Sequence, residues 1–151
     1  WSFVRYKDNE HLLISNIFFY FVRIFNIMTS GTTQTRVIFP GDLNNHETLF
    51  GGKALMWMDE VAYITVLRYL KHNAVTVAVN KLNYANAIKA GDIIEISGIV
   101  SAVGSVKLTV HVEIHKEEME TGIKSKAIEA DFVFAPIDEN HKPIRVQNAK
   151  M

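Results

Sequence analysis

The chain has 151 residues, 48% of them hydrophobic, and its 16 basic and 16 acidic side chains cancel. That composition fits one globular domain of ordinary size and excludes a disordered chain. Charge neutrality excludes long-range steering onto nucleic acid or an anionic membrane. The absence of cysteine excludes disulfides, thiolate metal ligands and a cysteine nucleophile, and it fits a reducing compartment such as the cytoplasm.

From Leu12 to Met28 the sequence is apolar and aromatic, interrupted by Ser15, Asn16, Arg23 and Asn26. This run is shorter and more polar than the ~20 apolar residues a membrane helix needs. Ser30-Gly31 is a weak match to a signal-cleavage site. Residues 1–27 are read as an extension that is extraneous or weakly ordered, ahead of one domain over 28–151; a targeting segment or a packed element is less favoured. Arg36–Phe39 is then a short strand closed by Pro40-Gly41. A polar turn, Asp42 to Leu49, leads through Phe50-Gly51-Gly52 into a helix expected over Gly52–Lys71. Four strands follow: around Val75–Val79, Asp92–Val100, Val106–Ile114 and Ile128–Phe134. Turns at Ala90-Gly91-Asp92, Val103-Gly104-Ser105 and Glu120-Thr121-Gly122 separate them. Val106–Ile114 alternates strictly between apolar and polar, as a half-buried strand does. With no second helix to cover a parallel sheet, the fold class is α+β, an antiparallel sheet wrapped around one long helix.

At ~100° per residue, Lys53, Glu60, Arg68 and Lys71 share one wet edge of that helix. Leu55, Met58, Ala62, Tyr63, Val66 and Leu70 make the remainder apolar, as in a helix buried on most sides. Glu60 belongs to the wet edge. Asp59 falls about 100° away, among apolar neighbours, where burial disfavours the charged form. Asp59 is the anomaly that points to chemistry, although a structural ion pair is the alternative. Taken singly, Gly51-Gly52 is an ordinary tight turn and Asn44 an ordinary turn residue.

Together, Asp42-x-Asn44, Phe50-Gly51-Gly52 and Asp59, seven residues beyond the second glycine, resemble the acyl-CoA thioester hydrolase family with the hotdog fold. The resemblance runs from about Arg36 to Arg145 and takes in Val75–Val79, Gly91-Asp92 and Val103-Gly104-Ser105. It implies an acyl-CoA thioesterase of fatty acid metabolism that needs no cofactor or metal. Asp59 is then the catalytic carboxylate, and Asn44 orients water or substrate across a dimer interface. Gly51 and Gly52 present backbone N–H groups to the substrate, with Phe50, Gly104 and Ser105 also in contact with it. The assembly implied is a homodimer, extended to a larger oligomer such as a trimer of dimers. Ala85-Asn86-Ala87-Ile88, where relatives often carry proline, and Val106-Lys107, where they carry serine or threonine, depart from the pattern.

The chemistry is coherent on its own terms. An ordinary thiol has a pKa of about 8.5, so a thiolate leaves without a strong general acid. N–H groups at a glycine-rich helix start approach a carbonyl oxygen closely and bring the positive end of the helix dipole. Whether Asp59 acts as base or nucleophile stays open. His46, His111 and His115 lack a metal-ligand or acid–base spacing and are read as surface residues, which also disfavours a histidine-dependent dehydratase. Lys107, Lys142, Arg145 and Lys150 are read as solvated charges. The alternative function is a module that holds acyl-CoA without turnover.

Overall fold

A computed structural model describes residues 31–150 together with Ile17. The reading of residues 1–27 as an extension therefore lies outside the described residues, Ile17 apart. The elements are β1 (Thr32–Val37), α1 (Gly51–Leu70), β2 (Ala74–Tyr84), β3 (Ile93–Val103), β4 (Leu108–Glu117) and β5 (Lys124–Pro136). Short 3-10 turns lie at Pro40–Asp42 and Val146–Lys150. The strands form one five-stranded sheet in the order β1-β3-β4-β5-β2, every neighbouring pair antiparallel. One long helix against one antiparallel sheet is the α+β layout expected from the sequence.

Several boundaries differ from expectation: β1 begins earlier, at Thr32, and β2 and β5 run longer. The first strand ends at Val37, so Phe39 lies outside it. The Asp42 carboxylate accepts from the Phe39 N–H at 2.9 Å and turns the chain away from the sheet. The helix starts at Gly51 and ends at Leu70; Lys71 adopts a left-handed φ of 56° and its N–H closes the last turn on the Leu67 carbonyl at 2.9 Å.

The core forms where α1 crosses the centre of the sheet. Met58, Val61, Ala62, Val66 and Leu70 face Ile94, Ile96, Val100, Val110, Val112, Ile114, Phe132 and Phe134, all buried. Gly98 permits this approach: a Cβ there would lie 3.1 Å from both Val61 and Thr65. β4 alternates as its sequence requires, with Leu108, Val110, Val112 and Ile114 inward and Thr109, His111, Glu113 and His115 half-exposed. Phe132 has no exposed surface. Phe132→Ala is accordingly expected to cost about 3–5 kcal/mol, read as a lower midpoint in urea unfolding.

The flanks of α1 differ. On the β1 side, Lys53, Glu60 and Arg68 reach Asp42 at 2.6 Å, Arg36 at 3.4 Å and Thr32 at 3.1 Å. On the other flank Met56 and Tyr63 are exposed and Asp59 is half-buried. This corrects the expectation of a helix buried on most sides. The reason is β2: it is an edge strand that α1 does not cover, and every residue of it except Ala74 is exposed. Val75, Val77, Val79, Leu82 and Tyr84 are all exposed along that strand. Among the described residues no helix is long and apolar enough to cross a membrane.

Candidate active site

The loop before α1 is built by its polar side chains. The Asn44 Oδ1 accepts from the His46 N–H at 2.8 Å, and its Nδ2 donates to the Thr48 hydroxyl at 3.1 Å. The backbone closes the same turn, Asn44 N–H to Thr48 carbonyl at 2.8 Å. Glu47, at φ 59°, takes the left-handed conformation at the tip. Asp42 ties the loop to the helix through Lys53, whose ammonium lies at 2.6 Å from its carboxylate. That ammonium, aided by the Phe39 N–H, lowers the Asp42 pKa below the usual carboxylate value.

α1 begins without a side-chain cap. The Phe50 carbonyl accepts from Lys53 and Ala54, and among the described residues neither Gly51 nor Gly52 N–H meets an acceptor. Both are free donors at the positive end of the helix. The glycines also have steric reasons. A Cβ on Gly52 would stand 2.8 Å from the Phe50 ring, and one on Gly51 3.2 Å from the Tyr84 hydroxyl. In front of them opens a cavity of about 620 Å³, walled by Asn44, Thr48, Phe50, Tyr84, Ile88 and Ile128 among others. It is large enough for an acyl group and part of a carrier arm.

Asp59 lies elsewhere in the chain. It is seven residues beyond Gly52, about 10 Å along the helix axis, and it does not line that cavity. Its Oδ1 accepts from the Thr76 hydroxyl, near the start of β2, at 2.8 Å. The sequence places Asp59 among Leu55, Ala62, Tyr63 and Val66; Ala62 and Val66 are buried, Leu55 is half-buried and Tyr63 exposed. The apolar surroundings expected for Asp59 are thus only partly met in the single chain, because the uncovered β2 edge leaves this flank open.

The model of the thioesterase superfamily matches residues 46–123. The chain belongs to the thioesterase superfamily. It is 32% identical over 117 residues to the uncharacterized acyl-CoA thioester hydrolase YkhA of Bacillus subtilis (strain 168), covering 78% of this chain and 68% of that one. A crystal structure of an apo-hexameric acyl-CoA thioesterase superposes with a TM-score of 0.76 at 27% identity, covering 82% of this chain and 86% of the other. The acyl-CoA hydrolase of Staphylococcus aureus, solved with butyryl coenzyme A, coenzyme A and coenzyme A disulfide, superposes with a TM-score of 0.74 at 28% identity, over 79% of this chain and 73% of that one. The fold is the hotdog fold, as the sequence resemblance implied.

Within this thioesterase-family chain the expected site residues occupy three places. Asn44, Phe50, Gly51 and Gly52 share the cavity at the helix start. Asp59 stands on the β2 flank. Gly104 and Ser105 sit at the β3–β4 hairpin beside a cleft of about 350 Å³ lined by Tyr69 and Arg145. Tyr69 is 18 residues along α1 from Gly51, roughly 27 Å away, so one chain does not bring the hairpin to the helix start. Two residues of the site were not anticipated. Thr76 holds Asp59, and its signal was a lone hydroxyl in the run Val75-Thr76-Val77-Ala78-Val79. Tyr84 donates to the Gly51 carbonyl at 3.1 Å.

The outer sheet face carries a polar network that sequence spacing does not reveal. Strand register sets His111 opposite Asp131 and Glu113 opposite Glu129. His111 Nδ1 lies 2.8 Å from Asp131, and its Nε2 3.4 Å from Glu113. His111, Glu113 and Glu129 have ligand atoms within 4.8 Å of one another. Lys126, however, holds the position between the two glutamates, 2.6 Å from Glu129 and 3.4 Å from Glu113. Lys126 thus occupies the place an ion would take, and we assign the cluster none.

Burial by itself lowers the His111 pKa, but hydrogen bonds to Asp131 and Glu113 outweigh it and the net shift is upward. A histidine with a raised folded-state pKa stabilises fully below its unfolded pKa and loses that contribution as pH rises through the folded value. Thermal stability is expected to fall between about pH 6 and 8, where histidine titrates. His111→Gln should flatten that slope in melting curves recorded across the range.

Proposed function

We propose that this chain hydrolyses acyl-CoA thioesters to a free carboxylic acid and coenzyme A, with Asp59 as base or nucleophile. One observation carries the reading. The Staphylococcus aureus hydrolase has been solved with an asparagine, an aspartate 15 residues later and a threonine 17 residues after that each replaced by alanine. Asn44, Asp59 and Thr76 have the same residue types at the same two spacings. The 2.8 Å bond from Thr76 to Asp59 supports treating the last two as one unit.

The site completes itself in a dimer. Thr76 and Asp59 mark one end of β2, and Tyr84 with Gly51 marks the other. β2 is an uncovered edge with exposed apolar side chains, a surface that pairs with another strand unless blocked. In an antiparallel pair of β2 strands related by a two-fold axis, the Thr76 end of one meets the Tyr84 end of the other. Asp59 of one subunit then faces the partner's Asn44 and the partner's Gly51 and Gly52. The pairing also buries Asp59, Met56 and Tyr63, which the single chain leaves open.

In that arrangement the thioester carbonyl oxygen points at the Gly51 and Gly52 N–H groups, which hold the developing negative charge. Asp59 attacks the carbonyl carbon or removes a proton from a water placed there, and Thr76 fixes which carboxylate oxygen faces the reaction. Asn44, neutral and with one Nδ2 hydrogen beyond its bond to Thr48, orients the water without repelling an anion. The thiolate departs unassisted. Gly104 and Ser105 are placed at the carrier end of the substrate, and the assembly is taken beyond the dimer to a trimer of dimers. A cytoplasmic location is supported by the cysteine-free composition.

The test is thiol release from a panel of short- to long-chain acyl-CoAs by the full chain. Turnover with a preference for some chain lengths is the expected result. Folded protein that binds acyl-CoA and releases no thiol would return the chain to the non-catalytic reading.

A further inference from the structure

The Tyr84 hydroxyl donates to the Gly51 carbonyl at 3.1 Å, across 33 residues of sequence. The ring lies against the same glycine: a Cβ on Gly51 would be 3.2 Å from the hydroxyl and 3.4 Å from two ring carbons. A carbonyl in the first turn of a helix already accepts from the N–H four residues on. Tyr84 adds a second donor from outside the helix.

The bonded carbonyl is one end of the Gly51–Gly52 peptide unit; the other end is the Gly52 N–H, which meets no acceptor among the described residues. A hydrogen bond onto the oxygen of a peptide polarises the unit and strengthens its N–H as a donor. It also fixes the plane of the peptide. A helix opening on two glycines needs that restraint, since glycine has more backbone freedom than any other residue and no side chain to pin. Phe50 restrains the N-terminal side by lying on Gly52, but it supplies no polar contact there, and the helix has no side-chain cap.

We infer that Tyr84 is a positioning residue for catalysis, holding and polarising the Gly51–Gly52 peptide so that the Gly52 N–H is set for the oxyanion. This role rests on the hydrolysis proposed above and deepens it. Tyr84 touches the peptide and not the reacting atoms, so its effect belongs in the transition state, where charge reaches the carbonyl oxygen. Losing an oxyanion donor outright costs about 10²–10³ in rate. Weakening and loosening one is expected to cost less, about fivefold.

Tyr84→Phe keeps the ring against Gly51 and removes only the hydroxyl, so the wall of the cavity survives. In the full-length protein, kcat for a short-chain acyl-CoA should fall about fivefold with KM within about twofold, since ground-state binding is unchanged. Independently of turnover, the Gly52 amide proton in the 1H–15N spectrum should move upfield as its peptide loses polarisation. Unchanged kcat with an unmoved Gly52 resonance would overturn the inference, leaving hydrolysis itself standing. So would a raised KM at constant kcat, which would make Tyr84 a substrate contact. A wild type without turnover would remove the hydrolysis reading and the catalytic role together, even if the Gly52 resonance moved.

Discussion

Asp59→Ala is expected to slow acyl-CoA hydrolysis by roughly a thousandfold, the scale of a lost base or nucleophile, while leaving the fold intact. The fold should survive because Asp59 is half-buried and its recorded partner is a single hydroxyl, Thr76 at 2.8 Å. Alanine is also the strongest helix former, and the position is mid-helix in α1. Circular dichroism and melting should therefore be near wild type, with the loss in kcat. Thr76→Ala should show the same pattern at smaller size, about tenfold, since it removes orientation and spares the carboxylate. A single turnover in 18O water tests the nucleophilic role left open for Asp59. An anhydride opened by water at the Asp59 carboxyl carbon gives an unlabelled product acid and leaves the label on the protein. Label in the acid comes either from a base or from an anhydride opened at the acyl carbon, and rapid quenching for acylated protein tells these two apart. Hydrolysis that survives Asp59→Ala would mean that another carboxylate does the work.

The elements were legible in the sequence where one physical signal acted alone. β4 alternates because one face meets α1 and the other meets solvent, and Leu108 to Ile114 states that in its residues. The single helix between the first strand and the other four was legible for the same reason, and it led to the correct sheet. Where two elements had to be combined, the sequence said less. A helical wheel put Asp59 among apolar residues, but it carried no information on which strand covers that side. The uncovered edge is β2, and its exposure decides Asp59's surroundings. Thr76 and the His111–Asp131 pair are matters of register, and each is separated in sequence from its partner, by 17 and 20 residues. The glycines stood out as a turn; that Tyr84 and Phe50 lie against them needed the strand and helix in place. The proposed Asn44–Asp59 pairing came only through resemblance, since in one chain the two residues stand apart.

Val79→Asp is expected to break the proposed β2–β2 seam and to lower hydrolysis about a hundredfold, even though Val79 does not line the cavity. Val79 is the midpoint of β2, and its side chain is 38% exposed in the single chain. A two-fold axis through the strand centre brings residue 79 close to its own copy, so one substitution installs two facing carboxylates. Like charges directly opposite destabilise a strand pair, and here they also take apolar area from a seam that otherwise excludes water. The folded chain should persist, because β2 keeps its pairing with β5 and Val79, opposite Phe132, sits at the open margin of the core. Light scattering after size exclusion should show the mass halved, with circular dichroism unchanged. Activity should then rise with protein concentration as the residual monomers associate, a dependence that a defect in the chemistry itself does not produce. A monomeric Val79→Asp with full activity would place Asp59, Asn44 and the two glycines in one chain's site and remove the need for the partner. A dimeric variant with full activity would move the seam away from β2. The expected result, loss of both mass and turnover, follows from the proposed pairing: the carboxylate bonds to β2 at Thr76 and the helix start at Tyr84, and an antiparallel second copy would set one subunit's Asp59 against the other's helix start.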